Sequence, residues 1–351
     1  MEEIKRTEIA SLGEFGLIER LTGHIQLKNT STLKGVGDDS AVLDYRGKQT
    51  LITTDLLLEG VHFDLTYVPL KHLGYKSAVV NFSDIYAMNG TPRQITVSLG
   101  VSKRFSVENL EVDIASELYA GIQLACDIYG VDLVGGDTSA SMTGLTISIT
   151  CIGEGELGKV VYRNGAKEND LICVSGDLGA AYMGLQLLER EKRVFAGEAE
   201  FKPAFEGHEY LLERQLKPEA RKDIVAELDK AGIVPTAMMD ISDGLSSELL
   251  HICSQSHVGC RIYEDRIPID YQTAAMAEEF NMNLVTAALN GGEDYELLFT
   301  VPLEKHDTVA AIPGVRVIGH ITKPELGCCM ITRDDTEITL RAQGWNSLAE
   351  E

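Results

Sequence analysis

The chain is 351 residues long, 44% hydrophobic and 24% charged, with a net charge of -23. That length exceeds what a single hydrophobic core serves, so two domains are expected. The acidity leaves no basic stripe for a nucleic-acid backbone, and no apolar stretch reaches the length of a membrane span.

Strand and helix signals alternate along the chain. Leu51 to Thr54 reads as a strand, joined by a turn at Arg46-Gly47 to a partner over Ala41 to Tyr45. A helix is expected from Lys71 to Met88, with Ala78, Phe82, Ile85 and Met88 at helical spacing and Gly90 just past its end. Gln94 to Val101 alternates like a strand. Ser106 is placed to cap a long helix that runs to Tyr129 and stops at Gly130. Val131 to Val134, Leu145 to Ile152 and Leu171 to Ser175 are rich in β-branched residues and read as strands.

The glycine-rich, charged stretch from Gly153 to Asp170 places the domain boundary near its start, giving domains 1–153 and 154–351. Glu189 to Arg221 is polar with little periodicity and reads as a surface excursion rather than a lid. The fold class is therefore α/β in two domains. The charged N-terminus, Met1 to Ala10, lacks the apolar core of a signal peptide. Seven cysteines form no CxxC pair, and most lie in apolar runs as small core residues. A reducing cytoplasm is the expected location.

Several familiar devices are missing. There is no P-loop, no protein-kinase HRD or DFG, no HExxH and no GxSxG elbow. The glycines of Gly176 to Gly184 do not have dinucleotide-fingerprint spacing. A helix N-terminus there would accept an anion, but close backbone packing is the favoured reading.

What the chain offers instead is aspartate beside glycine or hydroxyl residues, repeatedly, after apolar runs. The segments are Gly35-Val36-Gly37-Asp38-Asp39-Ser40, Thr53-Thr54-Asp55, Asn81-Phe82-Ser83-Asp84, Gly135-Gly136-Asp137-Thr138, Asp240-Ile241-Ser242-Asp243-Gly244 and Gly291-Gly292-Glu293-Asp294. Any one of them is an ordinary turn sequence. Together they form an oxygen-only donor set, which suits a hard cation such as Mg2+ carrying polyphosphate.

In their order and spacing, joined by Glu59-Gly60-Val61-His62-Phe63, Tyr162-Arg163 and Tyr295-Glu296-Leu297-Leu298-Phe299, these segments closely resemble the thiamine-monophosphate kinase family. That family lies in the aminoimidazole-ribonucleotide-synthase-like superfamily, and the resemblance runs from Gly13 to Trp345. It implies two α/β (α+β) domains. The N-terminal one binds ATP and magnesium and dimerises; the C-terminal one has a mixed sheet flanked by helices and completes the nucleotide and substrate site. The implied activity is direct transfer of the ATP γ-phosphoryl group to thiamine monophosphate, giving thiamine diphosphate and ADP in a homodimer.

Carried over by position, Asp55, Asp84, Asp137 and Asp240 act through several Mg2+ ions. Asp39, Thr53, Thr54 and Asp243 complete the metal set. Tyr119 takes the adenine, while Gly136, Asp137, Arg163 and Ser242 contact phosphates. His62, Glu293 and Trp345 lie on the substrate side. Structural alternatives stand beside four of these: Tyr119 as a core tyrosine, Arg163 in a surface ion pair, His62 as a satisfied structural histidine, and Trp345 as a C-terminal seal.

Four rivals stand beside this reading. A selenophosphate synthetase calls for a reactive N-terminal cysteine, and none of the first 125 residues is one. A hydrogenase-maturation enzyme calls for a C-terminal cysteine, whereas this sequence ends Ala349-Glu350-Glu351. Ring-closing synthases and a non-catalytic sensor of nucleotide or thiamine phosphate complete the field.

Overall fold

A computed structural model describes residues 23–34, 42–45, 47–102, 114–194 and 205–342. Residues up to Asn81 together with Pro92–Glu154 form one unit; Phe82–Thr91 and the chain from Gly155 onward form the other. The short return of Phe82–Thr91 to the second unit has a local cause. The Val161 amide donates to the Met88 carbonyl, and Ala87 joins a core cluster of that unit.

In the first unit the described elements are β1 (Thr32–Lys34), β2 (Val42–Leu43), β3 (Gln49–Leu58), α1 (Leu70–Ala87), β4 (Thr91–Ser102), α2 (Ile114–Tyr129), β5 (Asp132–Ser141) and β6 (Thr146–Gly155), with the end of α1 from Phe82 assigned to the second. Their main sheet has the order β3-β6-β4-β5. Ile95, Val97 and Leu99 of β4 and Ile147, Ile149 and Cys151 of β6 are buried at every second position. That alternation is expected of a sheet with one covered face. Ile52 and Leu56, on the other face of β3, are 69% and 52% exposed.

One expectation is corrected here. β2 pairs with β1 through Thr32↔Leu43 rather than with β3. The turn at Gly47, with φ of 76°, is present, but the strand before it joins a separate two-stranded sheet. The expected Ser106 cap lies outside the described residues.

The second unit contains β7 (Leu171–Ser175), α3 (Ala180–Val194), α4 (Glu209–Leu216), α5 (Lys222–Lys230), β8 (Ala237–Asp240), α6 (Leu245–Ser256), β9 (Gly259–Tyr263), α7 (Tyr271–Glu279), α8 (Leu284–Asn290), β10 (Leu297–Val301), α9 (His306–Ala310), β11 (Val315–Thr322), β12 (Cys328–Ile331) and β13 (Glu337–Thr339). The sheet order is β13-β12-β9-β11-β7-β10-β8. β12 and β9 run parallel, and the other pairs are antiparallel, so the sheet is mixed.

β7, β8 and β10 are buried along their whole lengths because both faces are covered. Ile172, Val174 and Leu298 pack with Leu245, Leu249 and Ile252 of α6. Leu171, Cys173 and Phe299 pack on the opposite face with Ile224 and Leu228 of α5. No helix among the described residues is long and apolar enough to cross a membrane.

Candidate active site

In the second unit, the ends of two neighbouring strands carry several of the residues singled out in the sequence. β8 and β10 pair antiparallel, with Leu297 opposite Asp240. Beyond the ladder, Ile241 donates to the Glu296 carbonyl at 2.8 Å and Tyr295 donates back to the Ile241 carbonyl at 2.9 Å. Glu293 then donates to the Ser242 carbonyl at 2.7 Å. The segments Asp240–Gly244 and Gly291–Glu296 are therefore laced backbone to backbone.

That contact explains the glycines. A Cβ on Gly244 (φ 118°) would stand 2.7 Å from the Asn290 Cα, and one on Gly292 (φ 71°) would stand 2.6 Å from the Ser242 carbonyl oxygen. Only glycine combines the left-handed backbone with such close approach. Glu293 and Tyr295 also adopt positive φ, 58° and 51°, although they are not glycine. Strained backbone of this kind concentrates at functional sites.

The side chains follow from this frame. Asp240 is buried and accepts a 2.5 Å hydrogen bond from the Ser83 hydroxyl, adjacent in sequence to Asp84 near the end of α1. Asp243 keeps solvent contact, yet desolvation raises its carboxyl above the usual range, while His251 and Arg163 pull it back. Arg163 thus stands in the field of Asp243, with Glu293 a further acidic neighbour. Glu293 accepts from the Gln215 amide at 2.8 Å. Of the residues singled out in the sequence, Asp84, Arg163, Asp240, Ser242, Asp243 and Glu293 all belong to this unit.

Beneath Glu293 lies an ionic network that linear reading missed. Arg214 donates to Glu296 at 2.8 Å and to the Asp177 carbonyl at 3.0 Å, and pairs with Asp294 at 3.7 Å. Arg221 closes on the other Glu296 oxygen. Asp294 accepts from the Gly179 amide at 2.8 Å and the Ala181 amide at 3.4 Å, at the start of α3. The helix N-terminus considered for an anion thus receives a carboxyl from within the protein, one that burial pushes up to about 7.

These contacts correct the reading of Glu189 to Arg221 as a surface excursion. Leu211 of α4 is fully buried, and Arg214 and Arg221 anchor the Gly291–Glu296 segment from below. Arg214 and Glu296 are 82 residues apart, so no local spacing announces the pair.

In the first unit the marked residues lie on the sheet and its margins. Thr53 and Asp55 alternate with buried Leu51 and Leu57 on the covered face of β3. Thr54 is on the other face, where its hydroxyl meets Thr150 at 3.1 Å. Asp137 is exposed on β5, in register with Ser98, and Gly136 is in register with Val97. β3 and β5 are the two edges of this sheet, so the unit's fold does not by itself bring Asp55 and Asp137 together.

His62 is exposed, and its Nδ1 accepts from the Leu58 amide at 3.1 Å, which leaves the proton of the neutral ring on Nε2. Tyr119 is half-buried on α2, and burial pushes its phenol up to about 12. Asp39 and Trp345 lie outside the described residues.

As a donor set, carboxylates and hydroxyls without imidazole or thiol fit a hard divalent cation. Among the described residues, the only three metal-ligating atoms lying within 4.8 Å of one another belong to another chemistry, the sulfurs of Cys253, Cys260 and Cys328.

The profile for AIR synthase related proteins, N-terminal domain, matches residues 37–154, and that for the C-terminal domain matches residues 167–327. The fold and the acidic, glycine-jointed strand ends thus define a two-domain AIR-synthase-related protein. The chain is 39% identical over 297 residues to the thiamine-monophosphate kinase of Aquifex aeolicus, covering 85% of this chain and 88% of that one. It is 32% identical over 343 residues to the Bacillus subtilis thiamine-monophosphate kinase, covering 95% and 99%. The solved structure of AaThiL complexed with AMPPCP and TMP superposes with a TM-score of 0.72 at 34% identity, over 98% of this chain and 99% of that one. The chain belongs to the thiamine-monophosphate kinase family.

Proposed function

We propose that the chain transfers the γ-phosphoryl group of ATP to thiamine monophosphate, giving thiamine diphosphate and ADP. The observation that carries this reading is the backbone lacing of Asp240–Gly244 to Gly291–Glu296, in a chain 39% identical over most of its length to a thiamine-monophosphate kinase.

The acceptor is a phosphate monoester that is already anionic near neutral pH, so the reaction asks for no strong general base. Its obstacle is charge. Two unit charges about 4 Å apart repel by roughly 4 kcal/mol at an effective dielectric of about 20, and each phosphate carries more than one. Bound magnesium supplies the neutralising charge.

Asp55, Asp84, Asp137 and Asp240 hold that magnesium, and Asp39, Thr53, Thr54 and Asp243 complete the donors. Arg163, Ser242 and the Gly136 backbone orient ATP phosphates, and Tyr119 takes the adenine. Glu293, His62 and Trp345 bind the thiamine side. Glu293 suits a cationic heterocycle because Gln215 fixes its carboxylate at 2.8 Å. The active form is a cytoplasmic homodimer joined through the N-terminal domains. The exposed Ile52 and Leu56 supply an apolar surface for that contact.

The test is ADP release with magnesium-ATP and thiamine monophosphate, with the product identified by mass. Thiamine diphosphate formed from the monophosphate, and not from free thiamine, is the expected result. Absence of product while ATP still binds would overturn the assignment.

A further inference from the structure

Three cysteines from three elements of the second unit converge, and none of them belongs to the acidic segments discussed above. β9 and β12 are its parallel pair, and Cys260 is in register with Cys328. Residues in register on neighbouring strands project from the same face. α6 covers that face and contributes Cys253, which shares a buried cluster with Cys260, while Cys328 packs against its margin.

All three are free thiols, and their sulfurs lie within 4.8 Å of one another. Around a tetrahedral ion with bonds of about 2.3 Å, sulfur neighbours stand about 3.8 Å apart. The trio therefore needs only a small contraction to close on one ion.

The donor set decides the class of ligand. Sulfur-only sites select soft ions and leave magnesium to oxygen donors. Cys253 and Cys260 are buried, whereas Cys328 is half-buried, so the trio is closed on the core side and reachable from the β12 side. Three protein ligands with a fourth position open is an arrangement that zinc accepts. Nothing in the linear spacing suggests the site, since the cysteines belong to a helix and two non-consecutive strands.

We propose that Cys253, Cys260 and Cys328 bind one thiophilic metal ion of the zinc(II) class, tying α6 to the β9–β12 edge of the sheet. Binding releases thiol protons to the buffer and makes the stability of the second unit depend on the ion. The assignment is independent of the kinase reading, because it shares no residue with that site.

The full-length chain, reduced with a phosphine, would be incubated with Zn2+ or Cd2+, desalted and analysed for metal. Thermal unfolding and the cadmium-thiolate ultraviolet band would be recorded alongside. One ion retained per chain, the charge-transfer band and a melting temperature raised by several degrees are expected. Cys328→Ser should lower retention at least tenfold, as should Cys260→Ala. Cys329→Ser, at the next position of β12 and so on the other face, should retain the ion like the wild type. Because Cys328 is only half-buried, its serine variant keeps the test decisive even if Cys260→Ala folds poorly. No retained ion in the wild type, or equal retention in Cys328→Ser, would overturn the proposal.

Discussion

Glu248 shows how one side chain sets a pH dependence. It lies in the first turn of α6, where one oxygen accepts from the Asp243 amide at 3.0 Å. The other oxygen is buried with no hydrogen-bond partner among the described residues. Desolvation pushes its carboxyl up to about 8 from an ordinary 4.5. Between those values the folded chain holds a proton that the unfolded chain has released, so stability falls as pH rises through that window. Glu248→Gln should flatten this dependence, read as the urea midpoint at pH 5 against pH 8. An unchanged slope would contradict the assignment. Asp55 and Asp137 make a different claim, about turnover. Asp55→Asn or Asp137→Asn should leave the melting temperature nearly unchanged and cut turnover at least about 100-fold, the usual loss for a charge-stabilising group. A variant retaining more than about a tenth of the activity would refute its role.

At the scale of elements, the polar stretch after α3 turns out to be a brace. Arg214 and Arg221 reach Glu296, whose side chain is 1% exposed. Removing one partner of a buried ion pair strands the other charge, at a cost of about 3–5 kcal/mol. Arg214→Met leaves Glu296 paired with Arg221, so it should lower stability in urea titration by less than that full cost. It should also raise the KM for thiamine monophosphate, because the backbone beneath Glu293 loosens. Gly292→Ala should be similarly disruptive, since its Cβ would lie 2.6 Å from the Ser242 carbonyl oxygen. Wild-type stability in that variant would contradict the close packing. The strands read at Leu51 to Thr54, Gln94 to Val101, Val131 to Val134, Leu145 to Ile152 and Leu171 to Ser175 overlap β3 to β7 in turn, because apolar alternation and β-branched runs are local signals. β8 and β10 were not singled out as strands. The two strings of the second unit were legible as well, since glycine and aspartate at strand ends are local signals. The arginine brace and the cysteine trio were not. Both depend on residues brought together by sheet order, which leaves no period in the sequence. β2 misled for a related reason: a turn signal says where the chain reverses, not which strand it meets.

At the scale of the molecule, two AIR-synthase-related domains supply acidic strand ends with no P-loop and no catalytic histidine in the assigned set. Such equipment suits direct phosphoryl transfer, in which positioning and charge neutralisation supply most of the rate. The phosphoryl group is expected to pass from ATP to the acceptor without residing on the protein. Single turnover with ATP labelled in its γ-phosphate, quenched in acid with magnesium and thiamine monophosphate present, tests this most directly. The label should move from ATP into thiamine diphosphate with none on the chain. Label bound covalently to the protein, and chased from there into product, would contradict the account.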